Sequence, residues 1–167
     1  HRSHEICQEL ALPYLRLNRP EWVPNPDEIW HPVATVEKLS SLMPLGEKVF
    51  LTTGSHSHDI AQALPGRVLF CRRIEAGPEP FPLSGGWIIG RPPFSKDAET
   101  TLFHELGITW IVAKNAGGAT RAKLDAARAL GLSVAMIDRP QGPDAPTVEN
   151  VADALTWVAE LVERQNG

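Results

Sequence analysis

Apolar runs of strand length alternate with segments of helical spacing along most of this chain. The strand-like runs are Val49–Thr53, Arg67–Arg72, Trp87–Gly90, Ile108–Ala113 and Ser133–Ile137. They are short and almost continuously apolar, as expected of strands buried on both faces. Between them, Lys96–Leu106 carries Leu102, Phe103 and Leu106 as one helical stripe, and Ala119–Leu130 is a helix stopped by Gly131. Thr35 caps a helix through Leu42, and Ser57 or Ser55 caps one to about Leu64, ended by Pro65-Gly66. Thr147 is expected to cap the last helix, which runs to about Arg164. At the other end, His1–Leu10 reads as the tail of a helix, and Tyr14–Leu17 as a short strand. Pro20, Pro24 and Pro26 make Asn18–Asp27 an irregular link, and Trp30–Ala34 is an edge strand interrupted by Pro32. Glu75–Leu83, rich in Pro and Gly, is a loop. Strands alternating with helices predict a mostly parallel sheet covered on both faces, an open doubly wound α/β fold.

At 167 residues the chain is long enough for one domain with a sizeable core, or one and a fraction. Its net charge of −4 excludes the clustered basic excess of a nucleic-acid binder. No apolar run approaches membrane-spanning length. The two cysteines, Cys7 and Cys71, are far apart and form no CxxC, which fits a reducing, cytoplasmic setting. A first helix that begins at His1 without a cap suggests further sequence upstream.

The candidate chemistry lies where strands end. Val49-Phe-Leu-Thr-Thr-Gly-Ser55 is echoed by Ile111-Val-Ala-Lys-Asn-Ala-Gly-Gly118: each is an apolar run that breaks into small polar residues and glycine before a helix. Helix N-termini carry unpaired N–H groups that attract anions. Glycine lets a ligand approach the backbone without a Cβ in the way. Neither loop is GxGxxG or a P-loop. Taken alone, a turn explains the glycines of the second loop equally well, and a helix cap explains the first. Thr120 and Lys123 fall in the first turns of the following helix, and Arg91 and Arg139 follow strand ends directly, where arginine can grip a carboxylate or phosphate through two parallel bonds. Each could equally be a solvated charge, as could Arg72 and Arg73. What the four clusters share is position, since ligands of such sheets bind beyond the carboxyl ends of the strands. His56, His58 and His104, with Asp59, lack the spacing of a metal site, and no metal is expected. There is no GxSxG and no recognisable catalytic triad.

Five blocks together resemble the precorrin-6A reductase family of cobalamin biosynthesis: Leu12–Trp22 (LPYLRLNRPEW), Val49–Ser55 (VFLTTGS), Gly90–Phe94 (GRPPF), Val112–Ala127 (VAKNAGGATRAKLDAA) and Met136–Pro140 (MIDRP). The Lys-Asn-x-Gly-Gly loop is the most specific of them. Pro92 stands where the family has glycine. The family's opening Gly-rich loop and Asp-Ala-Thr-His-Pro motif have no counterpart, so the chain corresponds to roughly the C-terminal two-thirds of such an enzyme. The resemblance implies two Rossmann-like domains with cofactor and tetrapyrrole between them: residues 1–45 as the remnant of the N-terminal one with a linker, and 46–167 as the C-terminal one. It implies hydride transfer from NADPH or NADH to one double bond of precorrin-6A or cobalt-precorrin-6A, giving dihydro-precorrin-6. Carried over by position, Thr53, Gly54, Ser55, Asn115, Gly117 and Gly118 contact cofactor phosphate, while Arg91, Lys114, Lys123 and Arg139 contact substrate anions. No proton donor is identified. Two alternatives stand beside this reading: a non-catalytic α/β module that binds an anionic small ligand, and a tetrapyrrole enzyme of the uroporphyrinogen-III synthase type.

Overall fold

The computed structural model describes residues 2–54, 57–118 and 121–166. In chain order its elements are α1 (Arg2–Glu9), β1 (Arg16–Leu17), β2 (Ile29–Val33), a 3-10 turn at Val36–Lys38 leading into α2 (Leu39–Leu42), β3 (Lys48–Leu51), α3 (Ser57–Gln62), β4 (Val68–Arg73), β5 (Gly85–Ile89), α4 (Lys96–Leu106), β6 (Trp110–Lys114), α5 (Ala122–Leu130), β7 (Ser133–Ile137), β8 (Thr147–Val148) and α6 (Val151–Asn166). By its contacts the chain forms two units. One comprises Val23–Asn115 and Ala119–Arg139; the other comprises His1–Trp22, Ala116–Gly118 and Pro140–Gly167. Residues 23–45, grouped with the N-terminal segment in the sequence reading, pack in the first of these.

The larger unit is a six-stranded sheet in the order β2-β7-β6-β3-β4-β5, with every pairing parallel. The alternation of side chains separates two layers of core. Val49, Leu51, Leu69, Cys71, Trp110, Val112, Ala135 and Ile137 point to one face and pack with Leu39 of α2 and Ile60 and Ala61 of α3. Phe50 points to the other and meets Phe103 of α4, ring centroids 5.0 Å apart. Helices on both faces make the fold doubly wound, as the alternating pattern predicts. Pro32 does not interrupt β2. That strand is an edge, paired only with β7 with Pro32 opposite Met136, so a missing N–H on its open side breaks no ladder. Helix α4 starts where Ser95 accepts a hydrogen bond from Ala98 N–H at 3.2 Å and stops at Gly107, whose φ of +65° lies in the left-handed region.

The smaller unit holds α1, α6 and a two-stranded parallel sheet in which Arg16 faces Thr147 and Leu17 faces Val148. Here the sequence reading needs correction. Thr147 lies in β8 rather than at a helix cap. The cap is Asn150, whose Oδ1 accepts from Asp153 N–H at 2.9 Å. Likewise Thr35 makes no capping bond and precedes a 3-10 turn, not an α-helix. On α6, Val151, Leu155, Val158 and Val162 fall on one stripe and are all exposed.

Candidate functional site at the strand ends

Numbered within the larger unit, β3, β4 and β5 run outward to one side and β6, β7 and β2 to the other. The order reverses between β3 and β6, which is the topological switch point where open α/β sheets place their ligands. The two echoing loops leave these two strands. They start side by side: Thr52 N–H and Oγ1 both donate to the Val112 carbonyl, at 3.0 and 2.9 Å. This doubled bond extends the β3–β6 ladder one residue past its end.

Beyond it, Thr53 is buried and its hydroxyl lies 3.0 Å from Ser57 Oγ. That bond ties the loop to the first turn of α3. Gly54 has φ +62°, and a Cβ there would meet nothing within 4 Å. The space over this backbone is open, which is what close approach of a phosphate requires. On the β6 side, Lys114 closes the strand opposite Ile137. Asn115 N–H donates to the Ile137 carbonyl at 3.1 Å, and the Asn115 carbonyl accepts from Arg139 Nε at 3.1 Å. The structure thus brings Thr53, Gly54, Lys114, Asn115 and Arg139 to one edge of the sheet, on three adjacent strands. Ser55 and Thr120 lie outside the described residues.

Among the described residues there is no group of three His, Cys, Asp or Glu side chains able to hold a metal. His58 is instead within 3.0 Å of Gln62 one turn along α3.

The comparisons with known proteins bear on this arrangement. The family described as Precorrin-6x reductase CbiJ/CobK matches residues 1–159. The chain belongs to this family. It is 42% identical over 163 residues to the precorrin-6A reductase of Rhodococcus erythropolis, covering 96% of this chain and 66% of that protein. It is 39% identical over 165 residues to the precorrin-6A reductase of Mycobacterium tuberculosis, with the same coverage. A solved structure titled CobK precorrin-6A reductase superposes with a TM-score of 0.87 at 31% identity, covering 95% of this chain and 66% of that one. The chain therefore spans slightly under two thirds of the length of these relatives, and over the matched part it shares the fold of the solved structure.

Within that family frame the remaining residues fall into place by element. Gly117 and Gly118 belong by contacts to the smaller unit, with φ of +66° and +85°. In that unit Trp22 Nε1–H donates to the Gly118 carbonyl at 2.6 Å, and a Cβ on Gly118 would come within 3.0 Å of the Arg19 side chain. The glycine is favoured by its left-handed backbone conformation, and a side chain there would also crowd Arg19. Sequence reasoning noted the Leu-Arg-Leu-x-Arg-Pro-x-Trp run without giving it a task; clamping the second glycine loop is one.

Arg91 follows the outer strand β5. It is exposed and paired with exposed Glu75, a contact contributing roughly 0–1 kcal/mol. Lys123 sits on α5. Burial pulls its ammonium below the ordinary lysine value of 10.5, while the charge of Glu99 opposes that shift and Arg72 adds to it. Its surroundings are therefore a pair that sequence reasoning missed. Arg72 Nη2 and Nη1 donate to the two Glu99 oxygens at 2.7 and 3.1 Å. Glu99 is only 3% exposed, so removing it would leave a largely buried guanidinium uncompensated, at a cost of about 3–5 kcal/mol.

Proposed function

We propose that this chain binds a nicotinamide dinucleotide, NADPH or NADH, at the β3–β6 switch point, and takes part in reducing precorrin-6A or cobalt-precorrin-6A to the dihydro product. What carries the reading is the position of the two echoing loops. They leave the two adjacent parallel strands at which the sheet order reverses, with open space over Gly54 for a phosphate. The names of the relatives supply the reaction, and they favour it over a synthase of the uroporphyrinogen-III type. The nicotinamide would supply a hydride to one carbon of a macrocycle double bond, a proton reaching the other carbon, with oxidised nucleotide as the second product.

The chain's own residues bind and orient. Thr53, Gly54, Ser55, Asn115, Gly117 and Gly118 are assigned to the dinucleotide, and Arg91, Lys114, Lys123 and Arg139 to carboxylates of the substrate. Arg139 and Arg91 follow β7 and β5, strands four inter-strand steps apart, or roughly 19 Å at about 4.8 Å per step. A small anion cannot touch both, whereas a dinucleotide and a polycarboxylate macrocycle together can occupy the whole edge. The smaller unit, with a two-stranded parallel sheet, fits a remnant of a second Rossmann-like domain, because so small a parallel sheet does not ordinarily stand alone.

The test is turnover. The purified chain is mixed with NADPH and precorrin-6A, following loss of reduced nicotinamide and gain of two hydrogens by the macrocycle. Stoichiometric oxidation and reduction, slowed by Gly54→Val, is the expected result. No hydride transfer at saturating concentrations of both contradicts the proposal.

A further inference from the structure

The Gly90-Arg-Pro-Pro-Phe94 segment places Arg91 in the proposed site but leaves Phe94 without a task. Phe94 is held from below. The Arg72 guanidinium carbon lies 3.7 Å from the centroid of its ring and 5.0 Å from that of Phe50, so the cation contacts both a loop aromatic and a core aromatic. Both ends of the guanidinium fork are tied to Glu99, whose carboxylate is buried in the first turn of α4. The ring also lies close to the backbone just past β5: a Cβ on Gly90 would come 3.1 Å from Phe94 Cε1. Ser95, next in the chain, caps α4. Three rigid elements therefore converge on one ring: β4 through Arg72, α4 through Glu99 and Ser95, and β5 through Gly90.

Between its fixed ends the loop carries a single cation, Arg91. Among the described residues it pairs with Glu75, and the two are 69% and 74% exposed. A surface pair of that kind does not hold a side chain in place. The backbone that carries Arg91 therefore sets where its Cα sits and which region its side chain can reach.

We propose that Arg72, Glu99 and Phe94 form a pin that fixes the 90–95 loop, making Phe94 a positioning residue that acts on the anionic ligand through Arg91. The inference rests on the reading of Arg91 as an anion contact. The ligand class is a tetrapyrrole polycarboxylate, since an arginine fork matches carboxylate geometry and a fixed backbone leaves the loop less freedom to lose on binding. Phe94 needs no contact with the ligand. An aromatic ring is required over the guanidinium, because the flat stack and the ring quadrupole are what an aliphatic side chain lacks.

The experiment measures binding of uroporphyrin I, a tetrapyrrole octacarboxylate, to the full chain by fluorescence quenching. Four variants are compared with the wild type: Arg91→Ala, Phe94→Leu, Phe94→Tyr, and Arg91→Ala with Phe94→Leu together. Leucine preserves apolar burial, so the fold is retained, and each variant's melting temperature is recorded. The expected result is that Phe94→Leu weakens binding about tenfold, the size of a desolvated cation–π contact, while Phe94→Tyr binds like the wild type. In the Arg91→Ala background Phe94→Leu adds nothing, because two changes on one path are not additive. Wild-type affinity in Phe94→Leu, with Arg91→Ala weakened, overturns the pin and leaves the Arg91 reading standing. An equal loss from Phe94→Leu with and without Arg91 also overturns it, since Phe94 then acts independently. Wild-type affinity in Arg91→Ala, or no binding by the wild-type chain, overturns both.

Discussion

At the scale of residues, burial and pairing separate side chains that look equivalent in the sequence. Arg72 lies near the end of β4 and Arg91 just past the end of β5, yet one is locked to a buried carboxylate and the other stands in solvent beside Glu75. No local signal distinguishes them, because the Arg72–Glu99 pair joins positions 27 apart and exists only through strand order and the packing of α4 on the sheet. Cys71 shows the same dependence: burial in the core pushes its thiol up to about 12, which makes it inert. Lys123 yields a prediction with a definite sign. Its ammonium loses its proton below the ordinary lysine value of 10.5, so anion binding that depends on it is full below the lowered value and falls as pH rises through it. The unfolded chain keeps that proton up to 10.5, so stability rises between the two values as the buried charge is relieved. Binding of uroporphyrin I, a polycarboxylate, followed against pH should lose affinity on the alkaline side below 10.5, and Lys123→Gln should remove that limb. A pH curve identical in the two proteins contradicts the assignment of Lys123.

At the scale of elements, periodicity and punctuation predicted most of what forms. Lys96–Leu106 and Ser133–Ile137 have the same limits in sequence and structure, since Ser95 and Gly107 bound the first, and Pro140 follows the second closely. The misses have a common cause. β8 is two residues long, next to Pro146, and is a strand only because β1 pairs with it from 131 positions away. A tertiary partner outweighed the local preference of Thr147 for a cap, and Asn150 took that task. Gly85 is a further element-scale feature hidden from sequence. Its φ is +127°, and a Cβ there would lie 1.8 Å from the Leu69 carbonyl oxygen, inside the β4–β5 ladder. Gly85→Ala should lower the unfolding free energy by more than about 2 kcal/mol in urea titrations, through strained backbone and lost strand pairing. A change within about 0.5 kcal/mol shows that β5 can shift without loss.

At the scale of the molecule, the sheet order turns scattered motifs into one edge. All six strands of the larger sheet are parallel, so every loop that follows a strand opens on the same side, and only the order decides which loops are neighbours. Alternation of strands and helices made the shared side legible in advance; the order β2-β7-β6-β3-β4-β5 was not, because β2 joins the far edge beside β7 from upstream of the other five. That order is what sets Thr52-Thr53-Gly54 beside Lys114-Asn115 at the reversal. The chain belongs to a reductase family, and the proposal of a dinucleotide at the switch point is the central claim. The most direct measurement is a calorimetric titration of the 167-residue chain with NADPH and with NADH at neutral pH, repeated with Asn115→Ala and Gly54→Val. The account predicts saturable binding of one or both nucleotides, weakened at least about tenfold by Gly54→Val, whose side chain fills the open space over the loop and strains a left-handed backbone. Absence of binding to either nucleotide, or affinity untouched by both substitutions, would contradict it.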